Sequence, residues 1–164
     1  VQVGAPSREH IKRYQSLMSE VENGVKAIND KFGGDGWQPV IYRPQHHQPE
    51  DVAHLYRAAD LCVVSSLHDG MNLVAKEFIA SRTDEYGVLV LSEFTGAARE
   101  LEHAVHVNPF AVDAFADALH TSLLMSPEDQ RRRMRTLRER VASHTVFDWA
   151  NSLLTSACRM EPVR

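Results

Sequence analysis

Three short apolar runs constrain the fold of this 164-residue chain more than any other feature. Leu61-Cys62-Val63-Val64-Ser65, Gly87-Val88-Leu89-Val90-Leu91 and Ala104-Val105-His106-Val107 are rich in β-branched residues and show no strict alternation of apolar and polar positions. A strand with one face in water alternates with a period of two, whereas a strand covered on both faces has no reason to. Segments with helical spacing of apolar residues lie between these runs. Strand–helix alternation of this kind builds βαβ units on a parallel sheet. The fold class expected is therefore α/β, a doubly wound parallel sheet.

The remaining elements fit that pattern. Val1-Gln2-Val3 reads as the end of a strand stopped by Pro6. Ile11, Tyr14, Leu17, Met18, Val21, Val25 and Ile28 mark a helix from about Glu9 to Phe32, with Ser7 as its N-cap and the turn Gly33-Gly34-Asp35-Gly36 as its stop. Trp37 to Tyr42 reads as a strand, and Pro44 and Pro49 enclose the polar loop Gln45-His46-His47-Gln48. Helices are expected from about Glu50 to Ala59, from Asn72 to Ser81, after Gly96 through Leu101, and from Val112 to Leu124. Ser126-Pro127-Glu128 opens another, with a capping serine and a proline at the first helical position. A last amphipathic segment runs from about Phe147 to Cys158.

Composition limits the partners. A net charge of −4 gives no electrostatic reason to expect nucleic acid or an anionic membrane surface. No apolar run approaches the roughly 18 residues that span a bilayer. The first residues lack the basic and apolar regions of a signal peptide. Cys62 and Cys158 are too few and too far apart for a disulfide framework or a metal site, and fit buried free thiols in a cytoplasmic protein. No compact His/Asp/Glu cluster suggests a metal. Arg131-Arg132-Arg133 with Arg135, Arg138 and Arg140 reads as a solvated helix face balanced by Glu128, Asp129 and Glu139.

In doubly wound folds ligands bind beyond the carboxyl ends of the strands, at the loops that open the next helices. The most informative such loop is Ser65-Ser66-Leu67-His68-Asp69-Gly70-Met71-Asn72-Leu73-Val74-Ala75-Lys76-Glu77-Phe78. Gly70 lets backbone approach a ligand without a Cβ in the way. The amides of Met71, Asn72, Leu73 and Val74 are the free N–H groups of a helix start, which favour a diphosphate. Asp69 can accept hydroxyls of a sugar ring, and Glu77, about a turn and a half into the helix, the diol of a ribose. Taken alone, this spacing fits a plain capping turn at least as well as a ligand cradle.

The residues themselves narrow the choice. Asp69-Gly70-Met71-Asn72-Leu73-Val74-Ala75-Lys76-Glu77-Phe78 resembles the donor-site signature of the trehalose-6-phosphate synthase family. Gly87 to Ala98, Val107-Asn108-Pro109 and the segment ending Ala5-Pro6-Ser7-Arg8 resemble further blocks of that family, so the resemblance covers nearly the whole chain. It implies a Rossmann-like C-terminal half of a GT-B glycosyltransferase, and retaining transfer of glucose from UDP-glucose, or another nucleotide-glucose, to glucose 6-phosphate. By that resemblance Asp69 holds sugar hydroxyls and is the catalytic candidate. Backbone at Gly70, Met71 and Asn72 contacts sugar and diphosphate, Leu73 and Val74 lie near the phosphates and nucleoside, and Glu77 binds ribose. His47, with His46, borders the base on a looser match; both also read as ordinary loop histidines. The family needs no metal and no cofactor.

The same resemblance implies that residues 1–145 form a nucleotide-sugar-binding domain incomplete at its N-terminus. Residues 146–164 then form a helix that either crosses back to a preceding acceptor domain or packs on its own. Glucose 6-phosphate is bound through that preceding domain. An arginine and a lysine that clamp the diphosphate in the family precede Val1 and cannot be assigned. A strand that the family places between strands present here would also be missing, leaving open sheet edges that invite self-association. The chain alone is thus expected to be inactive and weakly stable or associating. Glucosylglycerol-phosphate synthase, with a nearly shared donor motif, and a catalytically inactive regulatory or interaction domain are the alternatives. A dehydrogenase-like nucleotide binder is disfavoured, because no Gly-x-Gly-x-x-Gly follows any strand.

Overall fold

The computed structural model describes residues 1–4 and 12–159. The expected N-cap at Ser7 and the Ala5-Pro6-Ser7-Arg8 block lie outside the described residues. The chain divides into two compact units, Val1–Val52 and Ala53–Arg164.

In the first unit β1 (Gln2–Val3) runs parallel to β2 (Tyr42–Arg43), with Gln2 opposite Tyr42 and Val3 opposite Arg43. Helix α1 (Lys12–Phe32) lies between them in sequence and carries no buried residue. It stops where expected. Asp35 and Gly36, both at positive φ, turn the chain so that Gly34 and Trp37 pair across a two-residue hairpin. The strand expected over 37–42 shrinks to its last residue and one beyond. Pro39 has no N–H to give a ladder. The Asn29 side chain takes both backbone groups of Val40, accepting its N–H and donating to its carbonyl at 2.9 Å each.

Helix α2 (Pro49–Ala58) leads into the second unit, where β3 (Leu61–Val64), β4 (Val88–Ser92) and β5 (Val105–Val107) form a parallel sheet in that order. All five residues of β4 are buried, and the non-alternating pattern has its physical reason here. Leu89 and Leu91 face a cluster with Ala75, Phe78 and Ile79 of α3 (Leu73–Ser81) and Met134 and Leu137 of α5 (Pro127–Ser143). Val88 and Val90 face the other way, onto Phe115, Ala118 and Leu119 of α4 (Val112–Leu123). The sheet is thus covered on both sides, as a doubly wound fold requires. Among the described residues β3 pairs with β4 alone, so its far edge is open, and Val63 is 43% exposed.

Local chemistry sets the helix ends. Ser126 accepts the Asp129 amide and Pro127 takes the first helical position of α5. The helix expected after Gly96 is a single 3₁₀ turn, Gly96–Arg99. The arginine run is a solvated face whose members also have individual partners. Arg132 pairs with Asp129 at 2.6 Å and Arg135 with Glu85 at 2.7 Å, while Arg138 donates to the Ile79 and Ala80 carbonyls at the end of α3. Arg82, only 5% exposed, closes α2 in the same way by donating to the carbonyls of Tyr56, Arg57 and Ala59. Helix α6 (Val146–Arg159) begins one residue before the expected start. Thr145 and Asp148 exchange bonds there in a capping box, and those bonds hold the Asp148 carboxyl below its ordinary range. No residue of α6 is buried. One expectation is corrected on this helix: Cys158 is exposed, because no described residue of α6 is buried. Cys62 is half-buried against the core, and that burial pushes its thiol up to about 12.

Candidate functional site

The site forms where β3 ends. Val64 is buried and the chain then leaves the sheet through Ser65, Ser66 and an exposed loop to Asp69. A cleft of about 370 Å³ opens there, lined by Val63, Val64, Ser65, Ser66, Asp69, Asn72 and Val74. It sits at the carboxyl edge of the sheet, where the topology of an α/β fold directs ligands.

Asn72 shapes the floor of this cleft. It is the residue before α3, holds a left-handed backbone (φ 43°, ψ 81°), and is 6% exposed. Its Oδ1 accepts the Ala75 N–H at 2.9 Å, capping the helix. Its Nδ2 donates to Asp69 Oδ2 at 2.7 Å. Helix α3 therefore begins at Leu73, one residue later than expected, and Asn72 is its cap. Among the described residues, no hydrogen bond occupies the backbone N–H of Met71, Asn72, Leu73 or Val74. These four donors stand at the positive end of the helix, facing an anion's natural position.

Gly70 has nothing of the protein within 4 Å of where a Cβ would project. Its own packing within the protein therefore does not demand glycine. Gly96 is the opposite case. A Cβ there would come 2.8 Å from the Gly70 carbonyl oxygen. The loop after β4 lies directly on the loop after β3: Gly96 donates to the Asp69 carbonyl at 3.0 Å and Ala97 to the Gly70 carbonyl at 3.1 Å. The Lys76–Glu100 ion pair, 2.7 Å long with both side chains about a fifth exposed, ties α3 to the end of the same turn. Two loops far apart in sequence thus form one rigid wall.

Glu77 lies on the exposed side of α3 and accepts the Tyr56 hydroxyl at 3.2 Å. Burial, together with the neighbouring Glu77 charge, raises the Tyr56 pKa, so the hydroxyl remains a donor. Asp69 through Val74 and Glu77 are thereby brought to one helix start. His47 belongs to the first unit, in the loop after β2; it is half-buried, with Nε2 unpartnered. Sequence reasoning missed three contributors: the Asn72 side chain, Tyr56 and Gly96. Asparagine immediately before a helix was a usable signal for the first. Nothing in the sequence joined Tyr56 to Glu77 or Gly96 to Gly70.

The family model for glycosyltransferase family 20 matches residues 1–159. The chain belongs to glycosyltransferase family 20. Among its relatives, a trehalose-6-phosphate synthase of Mycolicibacterium vanbaalenii is 43% identical over 163 residues, 99% of this chain and 33% of the relative. An α,α-trehalose-phosphate synthase (UDP-forming) of Dictyostelium discoideum is 43% identical over 91% of this chain and 20% of its own length. A solved Burkholderia xenovorans synthase in complex with glucose 6-phosphate superposes with a TM-score of 0.89 at 35% identity, covering 94% of this chain and 34% of that one. A structure from E. coli bound with UDP-2-fluoro glucose superposes with a TM-score of 0.90 at 35% identity, covering 99% of this chain and 36% of that one. The α/β, GT-B fold expected from the sequence is the fold of these family 20 structures. The chain spans about a third of the length of the bacterial relative it matches.

Proposed function

We propose that this family 20 chain is the donor-binding part of a trehalose-6-phosphate synthase. In this reading the complete polypeptide transfers glucose from UDP-glucose to glucose 6-phosphate with retention, in the cytoplasm, and the acceptor is held by residues outside this chain. The observation that carries the reading is that Asp69, Asn72 and Val74 line one cleft beyond β3, at a helix start whose amides from Met71 to Val74 have no hydrogen-bond partner among the described residues. An activated sugar presents the complementary groups, ring hydroxyls next to a diphosphate. Asp69 accepts the hydroxyls through the oxygen that Asn72 leaves free. The amides meet the diphosphate, and their dipoles, fixed before the reaction, stabilise the charge that grows as the glycosidic bond to phosphate breaks. This is the work a bound cation does in other transferases. Leu73 and Val74, both exposed, flank the phosphates and nucleoside, and Glu77 accepts the ribose diol. The named ligands of the family 20 relatives, glucose 6-phosphate and a UDP-glucose analogue, support this chemistry.

The test is glucosyl transfer by the complete polypeptide with Asp69→Ala. Transfer should be lost while stability changes by no more than about 1 kcal/mol, since an exposed carboxylate contributes little to packing. Retained transfer would remove Asp69 from the site. Failure of the unsubstituted protein to use any nucleotide-glucose would remove the reading itself.

A further inference from the structure

We infer that the Asn72 side chain is a positioning residue, which fixes the Asp69 carboxylate while capping α3. The inference deepens the donor-site reading above and rests on it.

The two ends of one amide do different jobs. The Ala75 backbone offers a donor, so the end facing it at 2.9 Å is the carbonyl Oδ1. The Asp69 carboxylate only accepts, so the end facing it at 2.7 Å is the NH₂ group. Asparagine alone among small side chains supplies both an acceptor and a donor at this reach. It also tolerates the left-handed backbone seen here better than most residues. Asn72 is 6% exposed whereas Asp69 is exposed, so the buried residue orders the exposed partner and not the reverse. The bond takes up one acceptor site of Asp69 Oδ2 and restrains the plane of the carboxylate, leaving Oδ1 for a ligand hydroxyl. The residue that holds the sugar carboxylate is therefore also the one that orders the helix start for the diphosphate. The two recognition elements are set by a single amide.

Asn72→Asp separates the two jobs. Aspartate is as good a cap as asparagine and has its shape, so α3 keeps its start. The substituted carboxyl cannot donate when ionised, and it then repels Asp69. In the complete polypeptide, kcat for UDP-glucose should fall by about tenfold or more near pH 8, since a bond to a charged acceptor is replaced by a like-charge contact. UDP affinity should stay within about threefold, because the helix-start amides remain in place. The loss should shrink as pH falls. Two carboxylates at hydrogen-bond distance share a proton more readily than either holds one alone, and the shared proton restores an O–H donor to Asp69. The signal is the ratio of Asn72→Asp to unsubstituted kcat, rising from about pH 8 to about pH 5.5. His68 beside Asp69, and Lys76, Glu77 and Glu100 around α3, are common to both proteins and cancel in that ratio. Asn72→Ser gives the control. Its hydroxyl caps the helix but does not reach Asp69, so its loss should not vary with pH. A ratio near one at every pH would overturn the inference. So would a loss of kcat matched by an equal loss of UDP affinity, which would assign Asn72 to the helix start alone. An unsubstituted enzyme that does not turn over UDP-glucose would instead sink the reading on which the inference rests.

Discussion

Helices α1 and α3 show how differently the two units of this chain are built. Helix α1 has 21 residues and buries none; α3 has nine and fully buries Ala75, Phe78 and Ile79. Both carry apolar residues at helical spacing, so the sequence pattern predicts two packed helices. The difference lies in what faces them. Helix α3 meets a sheet of three strands and the flank of α5, which supply Val64, Leu89, Leu91, Met134 and Leu137. Helix α1 lies in a unit whose sheet consists of two strands of two residues each. A periodic apolar face marks a helix that can be buried; the surface that buries it is a property of its neighbours. The candidate cleft lies at the edge of the well-packed unit, lined in part by Val64 of its core.

The largest expected effect tests this contrast directly. Phe78 of α3 is fully buried in the core of the second unit, and Phe78→Ala should lower stability by about 3–5 kcal/mol in denaturant unfolding of the complete polypeptide. Ile28 on α1 is 43% exposed, and Ile28→Ala should cost less than about 1 kcal/mol. Similar costs at the two positions would break the comparison, and would mean that residues outside this chain cover α1 in the complete polypeptide.

Next in size is Gly96→Ala. Alanine there forces a Cβ to within 2.8 Å of the Gly70 carbonyl oxygen, a backbone atom that can give way only if the loop shifts. The wall must open, and the Asp69 and Gly70 carbonyls lose their partners. Glucosyl transfer should fall by about 100-fold, because small displacements of a binding loop are costly in rate. Stability should fall by only about 1–3 kcal/mol, as the sheet beneath is untouched. Unchanged activity would show that the two loops are not mechanically joined.

The same contrast explains what was legible in the sequence. Strand β4 was readable because burial on both faces removes polar positions from a strand, and β3 and β5, each with one exposed residue, were readable as short runs rich in β-branched residues beside it. The Asp69–Glu77 loop was readable because a strand, a glycine and a helix start occur within a few residues. The strand over 37–42 was misread because its fate depends on Asn29, eleven residues upstream of Val40, whose side chain takes the backbone groups a ladder would use. Cys158 was misread as buried because α6 has the pattern of a packed helix, with Phe147 81% and Leu154 65% exposed in the event. Gly96 and Tyr56 act through contacts that cross the fold, and no local pattern encodes them.

The smallest effect is also the sharpest, because it concerns one hydrogen bond. Tyr56 is held edge-on against Phe78, with ring centroids 6.0 Å apart, so the buried core of the second unit extends through an aromatic pair to the exposed Glu77 carboxylate. Tyr56→Phe keeps the ring and that packing and removes only the hydroxyl. The raised Tyr56 pKa means that the hydroxyl is protonated throughout the working pH range, so the loss should not depend on pH below about 9. A neutral donor to a partly solvated carboxylate is worth about 0.5–1.5 kcal/mol, so KM for the nucleotide-sugar should rise by about two- to tenfold with kcat little changed. That split follows from the role proposed for Glu77: a grip on the nucleoside end of the donor, bound alike before and during transfer, costs affinity when weakened and leaves the chemical step alone. A fall in kcat at constant KM would place Glu77 nearer the reacting bond than the ribose, and the division of labour between the two acids along α3 would have to be reversed.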